Sequence, residues 1–373
     1  MSHDDQSGID PALVPEREVA LRSGYHSPQR AVAVRLNTNE SPVPPPRAFV
    51  DALGAEFRSI QLHRYPDREA LALREAIAAH HGVRPDQVFC ANGSNEVIQC
   101  LLLAYGGPQR PVMVFTPTYE LHSHIAKITG TPVIAGKRND DFEVEPAEIA
   151  RVVDVCSSRY GRRAPVVSFL CSPNNPTGGV ETLDSLAAVA QMVPGLLLVD
   201  EAYGQFASSS AIELIASQPR LVVLRTFSKT WALAGLRLGY AIAHPRVIAS
   251  MSNVALPYHL DAFKQAAGRL ALGFDAEMSE RVAAIVKERE RLQRALSSLP
   301  VQSWPSQANF ILFRPLSARG SEVWQALLER DVLIRDFSGS PGLDNCLRVT
   351  IGTPSENDRF LACLPEVLSG PAL

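Results

Sequence analysis

Four short apolar runs constrain the fold most: Pro111-Val-Met-Val-Phe115, Val166 to Leu170, Leu196 to Val199 and Leu221 to Leu224, with helix-like segments between them. Runs of four or five apolar residues are too short for a buried helix, and lacking polar alternation they suit strands covered on both faces. Strands alternating with helices imply a mainly parallel α/β sheet, whose ligands bind beyond the carboxyl ends of the strands. Upstream, Asp67 can cap a helix over Arg68 to His81, with Leu71, Leu73, Ile77 and Ala78 on its apolar face and Gly82 past its end. His80 and His81 fall in its last turn, where a positive side chain suits the helix dipole. Beyond Pro257 the pattern changes to a long charged helix, about Ala276 to Leu299, then strands around Ala308 to Phe313 and Cys346 to Ile351. The expected organisation is an N-terminal arm over 1–35, a large domain over 36–257 and a smaller α+β domain over 258–373 that closes over the site. Pro42 to Pro46 reads as a stiff strap.

Composition excludes several classes. The chain has 373 residues and is 46% hydrophobic, yet no apolar stretch reaches membrane-spanning length. A net charge of -3 argues against nucleic acid as the main partner. The six cysteines show no Cys-x-x-Cys spacing and are expected as small buried hydrophobes in a reducing cytoplasm. The leading residues lack the apolar core of a signal peptide, and an arm partly ordered on a partner subunit is expected. His122 and His124 suggest metal ligands, but two ligands fall short of a site, so no metal is expected.

The chemistry concentrates at strand ends. Lys229 lies in Arg225-Thr-Phe-Ser-Lys-Thr-Trp-Ala-Leu-Ala-Gly-Leu-Arg237, after an apolar strand. A semi-buried lysine there loses its proton cheaply and can condense with an aldehyde. Asp200, in Asp200-Glu-Ala-Tyr203, can pair with a protonated pyridine nitrogen. Asn175, in Cys171-Ser-Pro-Asn-Asn-Pro-Thr-Gly178, can donate to a phenolic oxygen. Ala91-Asn-Gly-Ser-Asn-Glu96 reads as a glycine turn into a helix whose free amides can cradle a phosphate. Each segment alone also reads as a turn or a helix cap; together they describe a pyridoxal-phosphate site.

The order Gly-Ser-Asn-Glu, Asn-Asn-Pro-Thr-Gly, Asp-Glu-Ala-Tyr, Ser-Lys, Ala-Gly-Leu-Arg resembles the class I/II, fold-type-I pyridoxal-phosphate-dependent aminotransferases. The subgroup it most resembles is histidinol-phosphate aminotransferase. Leu36-Asn-Thr-Asn-Glu40, His63-Arg-Tyr-Pro-Asp67, Ala308-Asn-Phe310, Ile334-Arg-Asp336 and Leu347-Arg-Val-Thr-Ile-Gly352 extend the match along the chain. The resemblance implies a seven-stranded, mainly parallel sheet flanked by helices, and a homodimer. It also implies that Lys229 holds the cofactor and then shuttles the proton. Ser94, Asn95, Thr226, Ser228 and Arg237 would hold the phosphate, Tyr119 would stack on the ring, and Tyr203 would share the phenolic oxygen with Asn175. Tyr65 would reach the neighbouring subunit's cofactor phosphate.

By the same resemblance, Arg348 would clamp the substrate carboxylate bidentately, and Arg335 would be the second contact to a phosphorylated substrate. Two departures stand out: Asn39-Glu-Ser-Pro-Val43, where the subgroup commonly carries an aromatic at the last position, and Thr230-Trp231 after the lysine. The leading expectation is amino transfer between L-histidinol phosphate and 2-oxoglutarate. Alternatives are the same chemistry on an aromatic or cationic amino acid, decarboxylation of a phosphorylated amino acid, or cofactor binding without turnover.

Overall fold

The computed structural model describes residues 30–369. Residues 1–29, most of the expected arm, lie outside them. Among the described residues twelve strands form two sheets: β1 (Val34–Leu36), β2 (Val88–Ala91), β3 (Val112–Thr116), β4 (Val133–Lys137), β5 (Val167–Cys171), β6 (Leu196–Asp200), β7 (Leu221–Thr226), β8 (Gly239–Ala243), β9 (Val301–Ser303), β10 (Phe310–Pro315), β11 (Val332–Asp336) and β12 (Leu347–Thr350). The larger sheet has seven strands in the order β2-β8-β7-β6-β5-β3-β4, and only β8 runs against its neighbours. Every residue of β5, β6 and β7 is buried, as expected of unbroken apolar strands with helices on both faces. Two hydrophobic clusters cover the faces of this sheet, the first containing Phe115, Leu197, Val199 and Tyr240, the second Val114, Leu198, Leu224 and Ala241.

The smaller sheet has the order β1-β11-β12-β10-β9. β1 comes from the N-terminal side of the chain yet pairs in parallel with β11, Val34 opposite Val332. The chain then crosses from the small sheet to the large one through residues 37–46. In β11 and β12, Arg335 stands directly opposite Arg348.

After a helix over Arg47–Ser59, the helix expected over Arg68 to His81 begins later than its periodicity predicts, at Leu71. The Asp67 carboxylate accepts from the backbone of Glu69 at 3.0 Å and of Leu71 at 2.7 Å, folding 67–70 into a turn, and Ala70 takes a left-handed conformation with φ 47°. Gly82, at φ 66°, ends the helix as expected. The dipole argument fails for its last turn, because burial depresses both histidines and holds His81 at about 3, so it is neutral near pH 7. Its Nε2 instead meets the Tyr240 hydroxyl at 2.7 Å. The long charged helix spans Asp275–Leu296.

All six cysteines are buried and unpaired, and burial pushes the Cys90 thiol up to about 12. Among the described residues, no helix is long and apolar enough to cross a membrane.

Candidate active site

The carboxyl ends of β5, β6 and β7 open onto a cavity of about 390 Å³, a size suited to one small ligand. Its wall includes Ser94, Asn95, Tyr119, Asn175, Asp200, Tyr203, Thr226, Ser228, Lys229, Arg237, Arg335 and Arg348. The structure therefore brings together every site residue expected from the sequence except Tyr65. That side chain is 81% exposed and stacks on Tyr258 with ring centroids 4.6 Å apart. Val43 lies in an exposed turn outside the cavity wall.

One end of the cavity is built for an anion. The helix Ser94–Tyr105 has Gly93 before it and no side-chain cap, so its first amides point outward at the positive pole. Two glycines make the approach possible. Gly93 sits at φ +85°, and a Cβ there would lie 2.8 Å from an Arg237 guanidinium nitrogen; a Cβ on Gly239 would lie 2.4 Å from the Ser94 amide. Arg237 Nη1 reaches the Ser228 hydroxyl at 3.4 Å, and the Thr226 hydroxyl donates to Ser228 at 2.9 Å. A guanidinium, two hydroxyls and a helix end suit a dianionic phosphate.

At the centre, Asp200 is 2% exposed, and its two oxygens are both engaged. One accepts from the Ala202 amide at 3.0 Å and the other faces His122 Nε2 at 2.9 Å. His122 is fully buried, stacked on Phe169 at 4.9 Å, and sits on the helix Glu120–Ile128 that follows β3. The histidine that invited a metal reading instead orients the carboxylate. Among the described residues no cluster of three or more metal-ligating side chains occurs. The His122 contact was missed by sequence reasoning, because residue spacing carries no sign that positions 122 and 200 meet.

Lys229 faces the cavity, and its ammonium group donates to the Thr38 carbonyl at 3.2 Å. Burial, then the positive charge of Arg348, lowers its pKa to about 8, with Glu40 opposing. Only a neutral amine attacks an aldehyde, so with Lys229 as the capturing group the rate at which the cofactor-free chain takes up pyridoxal phosphate is expected to rise with pH through a midpoint near 8. The initial growth of yellow absorbance, measured between pH 6 and about 11, checks this. A midpoint near the ordinary lysine value of about 10.4 would remove the claim.

Across from the lysine, the Arg348 guanidinium is 5% exposed. It donates from Nη2 to the Asn37 carbonyl at 2.8 Å and from Nη1 to Asn175 Oδ1, and lies over the Phe310 ring at 5.0 Å. Arg335 lies beside it over Phe337, at 5.6 Å from the ring. Asn175 is held by its neighbour: Asn174 donates to the Pro117 carbonyl at 3.1 Å and accepts from Thr118 at 2.9 Å.

An anion cradle, a central buried carboxylate, an amine of lowered pKa and facing guanidiniums at the rim of this sheet define a fold-type-I pyridoxal-phosphate enzyme. The family model for aminotransferase class I and II matches residues 31–364, and the chain belongs to that family. It is 44% identical to a histidinol-phosphate aminotransferase of Frankia casuarinae, over 94% of this chain and 89% of the relative. The protein of that name from Mycolicibacterium smegmatis is also 44% identical, over 93% and 91%. The solved structure of the Sinorhizobium meliloti histidinol-phosphate aminotransferase in complex with pyridoxal-5'-phosphate shares the fold, with a TM-score of 0.84 at 23% identity over 96% of this chain and 99% of that one.

Proposed function

We propose that the chain is a pyridoxal-phosphate-dependent aminotransferase that exchanges an amino group between L-histidinol phosphate and 2-oxoglutarate, in histidine synthesis. The observation that carries the substrate reading is the cross-strand pair Arg335 and Arg348. Like charges directly opposite on a ladder are destabilising, and both line the cavity that holds Lys229, so they suit a strongly anionic guest. A phosphate monoester in one half-reaction and a dicarboxylate in the other both meet that need. The name carried by the relatives at 44% identity points the same way.

Bound pyridoxal phosphate supplies an electron sink for the charge left when the substrate carbon loses its proton. Lys229, as a neutral amine, would take up that proton at its Nζ and give it back. Asp200, fixed by His122, holds the pyridine nitrogen protonated. Arg348 orients the carboxylate of the dicarboxylic partner, and Asn175 and Tyr203 hold the phenolic oxygen. Ser94, Asn95, Thr226, Ser228 and Arg237 bind the phosphate of the cofactor, and Tyr119 covers its ring.

The working unit is a homodimer in the cytoplasm. Tyr65 and Tyr258, exposed and stacked on each other, fit a surface that a second copy covers, with Tyr65 reaching that copy's cofactor phosphate.

Single amino donors mixed with the loaded protein test the substrate reading through loss of the yellow absorbance. Rapid conversion by histidinol phosphate and by glutamate, but not by phenylalanine or arginine, is expected. Conversion by an unphosphorylated aromatic or cationic donor alone would replace it with a relative of altered specificity. Arg335→Leu is expected to lower kcat/KM for the phosphorylated donor by about 10- to 100-fold, the scale of a lost charge-assisted hydrogen bond, with little effect on glutamate. Equal losses for both donors would show that Arg335 does not contact the phosphate.

A further inference from the structure

The hydrogen bonds around Asn39 fix the direction of a proton in the cavity. Asn39 is 1% exposed, left-handed at φ 55°, and lies in the crossing segment between the two sheets. Its backbone amide donates to Thr350 Oγ1 at 3.1 Å, so that oxygen is already an acceptor. The single Thr350 hydroxyl proton is then used on Asn39 Oδ1, at 2.9 Å. In this arrangement the amide oxygen of Asn39 is paired with the Thr350 hydroxyl, which leaves the amide nitrogen for the other side. The nitrogen, Nδ2, donates to the Tyr203 hydroxyl, 2.9 Å away. An amide nitrogen only donates, so Tyr203 Oη accepts here and its own proton has to point elsewhere. The Asn309 side chain anchors the Asn39 carbonyl at 3.2 Å, so the residue has little freedom to turn.

We infer that Asn39 and Thr350 are positioning residues that direct the Tyr203 hydroxyl proton into the cofactor cavity, which makes Tyr203 an obligatory donor there. This rests on the pyridoxal-phosphate reading of the site, in which Tyr203 meets the phenolic oxygen. Neither residue touches a reacting atom. The charged groups near the phenol are Lys229, at 5.7 Å from the ring, Arg348 and Asp200, with the Cys171 thiol beside them.

A donor to the phenolic oxygen stabilises the form in which that oxygen bears its full negative charge, which is the form populated at high pH. Losing the donor therefore raises the pH midpoint of the yellow absorbance change of the loaded enzyme. Asn39→Asp is nearly isosteric and tolerates the left-handed backbone, but it presents an acceptor to Tyr203 and draws the hydroxyl proton away. The midpoint is expected to rise by about one unit, a tenfold change in the proton equilibrium. In a Tyr203→Phe background the same substitution is expected to add nothing.

Thr350→Val, which frees the amide to turn over, is expected to give part of the rise, and Thr350→Ser to restore the wild-type midpoint. The proposal is overturned if Asn39→Asp leaves the midpoint in place, or shifts it equally with and without the Tyr203 hydroxyl. A wild-type chain that develops no cofactor absorbance would overturn the underlying site reading instead.

Discussion

Replacing Lys229 with Ala leaves a folded chain that no longer transaminates. The side chain lines the cavity rather than the hydrophobic clusters, and its hydrogen bond to the Thr38 carbonyl runs to the cavity wall. What is lost is the covalent hold on the cofactor and the base that moves the proton. A positioned acid or base is worth about 10²- to 10⁴-fold, so the rate of amino transfer falls by at least that factor. Spectroscopy and thermal melting check the two halves of the expectation: no capture of pyridoxal phosphate as a yellow species, and an unfolding transition close to that of the cofactor-free wild type. Full transamination by the variant would remove Lys229 from its role.

Arg348→Leu is expected to lower kcat/KM for glutamate by about 100-fold or more. The guanidinium is buried between Phe310 and Phe337 and organises the Asn175 side chain and the Asn37 carbonyl. Truncating it removes the carboxylate fork and leaves both acceptors without their donor, at a cost of about 1 to 3 kcal/mol for each buried group left unsatisfied. Arg348→Lys is not expected to rescue the loss, since an ammonium cannot span two carboxylate oxygens while also holding Asn175 and Asn37. Steady-state kinetics with glutamate decide it: a change below about tenfold, near 1.4 kcal/mol, would mean that the carboxylate binds elsewhere.

Much of the site was legible in the sequence because parallel sheets place their chemistry at strand ends. Asp200 closes β6 and Lys229 follows β7, so an apolar run followed by a polar residue marked each position without any knowledge of pairing. The glycine turn before Ser94 was readable for a related reason: only an uncapped helix start offers that cradle. Contacts between distant segments left no such mark. His122 meets Asp200 across 78 residues, and Asn39 meets Thr350 across 311. The opposition of Arg335 and Arg348 depends on antiparallel register, which neither strand reveals alone.

Local chemistry also misled in two places. Asp67 has the residue type and position of a helix cap but folds a turn instead, because Ala70 adopts the left-handed conformation before the helix begins. The two histidines of the last helical turn sit where a charge would be favourable, yet burial beside Tyr240 and near Arg225 keeps His81 neutral. In both cases tertiary packing outweighed a local preference worth about 1 kcal/mol.

The crossing segment also orders events during synthesis. Asn37, Asn39 and Glu40 are among the first described residues, but their partners are Tyr203, Asn309, Arg348 and Thr350. A ribosome-bound chain that has released the whole seven-stranded sheet still has β1 without β11, and Asn39 without the hydroxyl that orients it. Gly93, Ser94 and Lys229 all precede β12 in the chain, whereas Arg348 and the Thr350 hydroxyl come only with it. The site is therefore complete only once β12, near the end of the chain, has been made.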